Sequence, residues 1–140
     1  MKIVLWEKYG SPDVLRLTET DQPIPKDNEV LIKVMASTVN RTDCAMLRAK
    51  PFIARLITGL IKPNRPATGT EFAGVIFSVG KDVKSFKAGD KVFGFEDMVI
   101  GTHAEFMVLT EDRAISKIPE EINYLQASST TGQKCNVFIL

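Results

Sequence analysis

Four consecutive residues, Asn40-Arg41-Thr42-Asp43, gather an amide, a guanidinium, a hydroxyl and a carboxylate, and Thr70-Glu71 adds a second hydroxyl and carboxylate. An arginine fork suits a phosphate-like anion, and neutral donors suit an oxygen that gains charge during a reaction. The same residues also have a purely structural use. Thr42 as an N-cap, with Asp43 in the first turn, would start a helix, and Glu71 would pair with a cation in the interior. Ser128, Ser129, Thr130 and Thr131 offer hydroxyls but have no general base beside them, so they do not make a nucleophile. His103 is the single histidine and has no metal partner near it in sequence, so it reads as a surface or loop residue. Cys44 and Cys135 lie 91 positions apart, a spacing for neither metal nor redox work, and are expected as free thiols in a reducing compartment.

The elements that must hold these groups are mostly strands. Apolar or alternating runs over residues 2–6, 14–20, 29–37, 72–79, 91–95 and 104–109 are separated by turn clusters, a rhythm that suggests a barrel or sandwich. Alternation is clearest where Val30, Ile32 and Val34 face away from Glu29 and Lys33. Gly74 interrupts the apolar run 72–79, which marks a sharp bend or a close approach of another backbone. Residues 42–49 are expected as a short helix. In Pro51–Lys62, Phe52, Ile53, Leu56, Ile57, Leu60 and Ile61 recur at a spacing of four and predict one apolar helical face. Arg48, Lys50, Arg55, Lys62 and Arg65 surround them, with no acidic residue between Asp43 and Glu71. Three uses stay open for this segment: a flap with solvated cations, a lid or guide for an anionic cofactor, and a membrane-surface contact.

The run Gly69-Thr-Glu-Phe-Ala-Gly-Val-Ile-Phe-Ser-Val-Gly80, followed by Val83, Phe86 and Gly89-Asp90-Lys91-Val92, closely resembles the signature of the medium-chain dehydrogenase/reductase family. The likeness extends through Ile3–Trp6, Val14–Thr20, Pro23-Ile24-Pro25, Val30–Ala36, Gly101–Phe106 and Ile118-Pro119, so it covers residues 1 to about 124. It implies the family's N-terminal catalytic domain: mainly β with short helices, a GroES-like partly open β-barrel.

In zinc-dependent members a cysteine stands at the position of Asn40 and a histidine at that of Thr70, both binding the catalytic metal. Amide and hydroxyl groups are poor zinc ligands, so the resemblance implies a zinc-free member holding no metal, in which Asp43, Thr70 and Glu71 occupy positions of a former metal site. The zinc-free branch with asparagine here looks like the quinone oxidoreductases and related enone reductases, which pass hydride from NADPH to a conjugated carbonyl. Carried over, Asn40 and Thr42 become catalytic candidates, the first orienting substrate and the second relaying a proton. Arg41 becomes a cofactor-binding candidate at the pyrophosphate. The partner implied is a small-molecule quinone or unsaturated carbonyl compound, and a homodimer is left open.

No Gly-x-Gly-x-x-Gly turn of a dinucleotide-binding domain occurs in the chain. Residues 1–124 are therefore expected as the catalytic domain, and 125–140 as the start of a helix toward an absent nucleotide domain. NADPH would bind this portion weakly or not at all. The alternative is a non-catalytic GroES-like interaction module. A length of 140 residues suits one domain, 44% hydrophobic and 25% charged residues are ordinary for a globular chain, and a net charge of +1 gives no case for nucleic acid. No apolar run approaches a membrane span, and the apolar start is too short for a signal peptide, so the expected location is cytoplasmic.

Overall fold

The computed structural model describes residues 1–50, 55–56, 59–64, 66–96 and 101–130, with the backbone alone at 136–139. Strand β3 (Glu29–Val39) is the longest element and the organising one. Strand β4 (Glu71–Val79) lies antiparallel along one of its edges; on the other, β6 (Phe106–Thr110) pairs with residues 29–33 and β8 (Asn136–Ile139) with residues 36–39. Beyond β4 come β5 (Lys91–Phe95) and β7 (Ile115–Lys117), giving the order β6-β3-β4-β5-β7 with β8 beside β3. Strands β1 (Lys2–Trp6) and β2 (Leu15–Glu19) form a separate two-stranded sheet, tied on through Val4 N–H to the His103 carbonyl and Trp6 N–H to the Pro66 carbonyl. The two sheets do not close on each other, so the mainly β, partly open architecture expected from the sequence is the one observed.

The alternating strand faces meet in one core. Val30, Ile32 and Val34 of β3 pack with Phe72, Ile76, Val92, Met107 and Leu109, all nearly or wholly buried. Gly74 sits opposite Val34, beside the register shift between Val34 and Ala36. A Cβ at Gly74 would collide with the Lys33 carbonyl oxygen and lie 2.9 Å from Ile32 Cγ2, so this glycine permits the strands' close approach. Past that register shift Ser37 and Thr38 are buried with their hydroxyls among polar partners.

Helix α1 (Arg41–Arg48) follows β3 directly, and α2 (Tyr124–Ser128) packs Ala127 against Ala73 and Ile118. The expectation of a helix over residues 125–140 holds at its start and is corrected at 136–139, which form a strand. The hydroxyls of Ser128, Ser129 and Thr130 each donate to the carbonyl three residues back, at 3.1, 2.9 and 2.7 Å, a local bonding pattern that competes with helix continuation. Further on, Asn-Val-Phe-Ile, rich in strand-favouring residues, pairs with Ala36–Val39 instead. Of the expected face over Pro51–Lys62, Phe52, Ile53 and Ile57 lie outside the described residues; Arg55 and Leu56 are helical and Gly59 to Lys62 are not. Cys135 also lies outside them, and Cys44 is an exposed free thiol.

Candidate functional site

Every candidate residue comes from the junction where β3 ends, α1 begins and β4 begins. The helix starts one residue earlier than expected, and its N-cap is Asn40, not Thr42. Asn40 Oδ1 accepts from the backbone N–H groups of Thr42 (2.8 Å) and Asp43 (3.1 Å), while Asp43 Oδ2 accepts from Asn40 N–H at 2.8 Å. This reciprocal capping box satisfies donors that a helix start leaves unpaired and contributes about 1 kcal/mol.

The other end of the Asn40 amide reaches across to β4. Its Nδ2 donates to Thr70 Oγ1 at 2.8 Å, and that hydroxyl faces Asp43 Oδ1 at 3.4 Å. Asn40, Thr70 and Asp43 thus form a closed ring, with Asn40 7% and Thr70 2% exposed. One amide proton of Asn40 is committed to Thr70 and the other is left to donate elsewhere. Burial pushes the Asp43 carboxyl above the ordinary carboxylate range, against the opposing pull of the Asn40 N–H, His103 and the Thr70 hydroxyl; the nearby Glu71 adds to the rise.

Glu71 is 1% exposed; among the described residues no cation pairs with it, and its Oε2 accepts from the Thr38 hydroxyl. Its Oε1 has no hydrogen-bond partner among the described residues. The Glu71 backbone carbonyl takes two further hydroxyls, Ser37 Oγ at 2.7 Å and Thr102 Oγ1 at 2.8 Å, which also touch each other at 2.9 Å. His103 lies in a loop as expected, but it is half-buried rather than a surface residue. Its Nε2 meets the Thr38 carbonyl at 2.9 Å and its Nδ1 the Thr68 hydroxyl at 2.9 Å. A carbonyl can only accept, so Nε2 donates to it, while the Thr68 hydroxyl that meets Nδ1 also donates to the Val4 carbonyl at 3.2 Å.

Arg41 and Thr42, in contrast, are exposed on the first turn of α1. The arrangement therefore brings Asn40, Thr70, Asp43 and Glu71 together in a buried polar wall and leaves a cation and a hydroxyl at its rim. Among the described residues no group of three histidine, cysteine, aspartate or glutamate side chains has the geometry of a metal site. Thr38, Ser37, Thr102 and His103 were not singled out as site residues from the sequence. The available signal was the polar pair Thr102-His103 set just before an apolar strand.

The model of the alcohol dehydrogenase GroES-like domain matches residues 26–120. Human quinone oxidoreductase is 37% identical over 131 residues, covering 92% of this chain and 37% of the human protein. The mitochondrial enoyl-[acyl-carrier-protein] reductase of Xenopus tropicalis is 31% identical over 139 residues, covering 98% of this chain and 37% of that protein. Among solved structures, the quinone oxidoreductase of Coxiella burnetii superimposes with a TM-score of 0.78 at 30% identity over 91% of this chain and 40% of that one. Escherichia coli quinone oxidoreductase complexed with NADPH gives 0.78 at 25% identity over 93% of this chain and 37% of that one. The chain spans a little over a third of the length of the curated relatives it matches, corresponding to their N-terminal part. By the extent of that family match and by its fold, the chain belongs to the alcohol dehydrogenase GroES-like domain family of oxidoreductases.

Proposed function

We propose that residues 1–124 are the catalytic domain of a zinc-independent, NADPH-dependent reductase of quinones or enones, that residues 125–140 lead on toward a nucleotide-binding domain, and that the protein works in the cytoplasm on a small molecule. The observation that carries this reading is the 2.8 Å bond from Asn40 Nδ2 to Thr70 Oγ1. The donor set explains why it bears on zinc. With Oδ1 occupied by two backbone N–H groups and Nδ2 by Thr70, neither position has a thiolate or imidazole to offer, and recruiting the amide would uncap α1.

NADPH, when bound, supplies the hydride. The chain's own residues have the complementary tasks. The second amide proton of Asn40 donates to the carbonyl oxygen as it gains charge, an electrostatic role that suits a substrate already activated by conjugation. Thr70 and Asp43 hold that amide in place. Arg41, exposed at a helix start, fits a pyrophosphate through its planar fork. Thr42, exposed beside it, takes the proton relay. A non-catalytic GroES-like interaction module is the second reading, resting on the match to that domain alone.

The test joins residues 1–125 to a related nucleotide domain and C-terminal segment and compares quinone or enone reduction with oxidation of simple alcohols. Reduction should dominate, because an unactivated alcohol needs an alkoxide-like state that a metal would stabilise. Faster alcohol oxidation would overturn the zinc-independent reading, and no activity with either substrate would favour the interaction module.

A further inference from the structure

The turn at residues 59–62 has a use that the reductase reading leaves unassigned. Its base is fixed. Tyr9 Oη donates to the Gly59 carbonyl at 2.7 Å, the Arg55 guanidinium stacks 5.0 Å from the centre of the Tyr9 ring, and Trp6 meets that ring edge-on at 5.3 Å. Gly59 N–H donates to the Arg55 carbonyl at 2.9 Å, and Gly59 has φ +125°, where a Cβ would run into the Lys62 carbonyl oxygen. Gly59 and Pro63 are buried on either side of the tip. With both ends held, the residues between them turn outward: Leu60 is 63% and Ile61 91% exposed, and Leu56 nearby is 68% exposed.

Apolar side chains this exposed need a reason when they stand together. Leu17 and Ile24 are exposed singly elsewhere, and Leu17 lies on a strand carrying both Arg16 and Glu19. Along the segment that carries the 59–62 turn the charges have one sign, the exposed Glu7 lying on the neighbouring strand end beside Trp6. Arg48, Lys50 and Lys62 are exposed, and the sequence has no acidic residue from Cys44 to Thr70. A water-facing aliphatic tip on a segment whose charges are all cationic suits a surface that is apolar inside and anionic outside. A bilayer meets that description without the shape complementarity that a protein partner would have to supply.

We propose that the Gly59–Lys62 turn, with Leu56 and the cations Arg48 and Lys50, is a contact site for anionic lipid headgroups, with Leu60 and Ile61 inserted at the headgroup boundary. The probe is co-sedimentation of the chain with phosphatidylcholine vesicles with and without about 30% phosphatidylglycerol. Binding should be confined to the anionic vesicles and should weaken as salt rises from roughly 0.1 to 0.5 M, where screening shortens. The double variant Leu60→Ser, Ile61→Ser should bind at least tenfold more weakly, roughly, for the apolar area withdrawn. Lys62→Glu should lose roughly tenfold or more through a two-charge change. Leu17→Ser should bind like the parent chain. The emission of Trp6, 5% exposed and the single tryptophan, reports that each variant remains folded.

The proposal is overturned if anionic vesicles do not retain the chain, or if Leu17→Ser loses as much binding as the double variant. It is likewise overturned if the chain sediments as a dimer that the double variant dissociates, since the patch would then be a contact between copies. Preferential capture of an acidic protein by the same residues, with no vesicle binding, also rejects it. The vesicle assay contains neither cofactor nor reducible substrate, so its failure leaves the reductase reading where it stands.

Discussion

Asn40 has two separable duties, and a pair of substitutions can divide them. Asn40→Ala removes the side-chain acceptor for two backbone N–H groups and the donor to Thr70. Losing the cap costs about 1 kcal/mol, and losing a buried neutral hydrogen bond about 1 kcal/mol more, so roughly 2 kcal/mol in total. For a chain of this length that corresponds to a fall in Tm of about 8 °C, at about 4 °C per kcal/mol. Asn40→Ser keeps a good cap acceptor but cannot reach Thr70, so it should lose about 1 kcal/mol and about 4 °C. Thermal unfolding of the chain followed by circular dichroism reads both values. In a completed enzyme both variants lack the amide proton offered to the substrate oxygen, so both should lower kcat/KM by roughly tenfold to a hundredfold. Stability should thus distinguish the two variants and activity should not. Equal melting temperatures for the two would refute the capping argument. Retention of kcat/KM by Asn40→Ser would refute the donor role.

Arg41→Ala in the completed enzyme should raise the cofactor KM with little change in kcat, because it removes binding shared by ground and transition states; an unchanged cofactor KM would remove Arg41 from the binding site. Gly74→Ala should destabilise the chain by about 1–3 kcal/mol, since the new Cβ collides with the Lys33 carbonyl oxygen between the two central strands, and denaturant unfolding midpoints measure it. For Asp43, burial raises the folded-state pKa above 3.8, so the folded state binds the proton more tightly. The stability this gives is fully present below pH 3.8 and is lost as pH rises through the folded pKa. Asp43→Asn, which keeps an acceptor for the Asn40 N–H, should therefore be more favourable relative to the parent chain at pH 7 than at pH 4, roughly the two sides of that window. A difference in Tm that is the same at both pH values would contradict it.

The sheet was readable because its signals are local. The alternation of Val30, Ile32 and Val34 specifies an inward face, and Gly74 marks the one place where β3 and β4 come too close for a side chain. What escaped reading depended on competition or distance. Thr42 and Asn40 are both good caps, and the sequence contained the deciding fact, since only Asn40 is followed three positions later by a carboxylate, Asp43, that can return the bond. The helix expected after Gln126 fails because three successive hydroxyls satisfy carbonyls locally, which no apolar periodicity reveals. Strand β8 pairs with residues about a hundred positions earlier, and nothing in Asn-Val-Phe-Ile names its partner. Glu71 could be foreseen as interior, but its partner Thr38 stands on the neighbouring strand, and no local pattern names that pairing.

The placement of these groups divides their labour. Ser37 and Thr102 both bond the Glu71 carbonyl, Thr38 bonds its carboxylate, and His103 joins the Thr38 carbonyl to Thr68, so the loop at 101–105 is fastened to β3 and β4 through polar side chains. Buried polar groups contribute little net stability beyond avoiding the cost of being left unpaired. The backbone ladder pairs Ala36 with Ala73 and Ser37 with Phe72, and the hydroxyl contacts carry that link on to its polar end. The hydroxyl contacts fix the separation of those two strands at the level of Asn40 and Thr70. The Asn40–Thr70 bond then turns that fixed spacing into a fixed direction for the remaining amide proton. In the proposed reaction the residues inside the wall would position, while Asn40 at its face and the exposed Arg41 and Thr42 at its rim would touch the ligand.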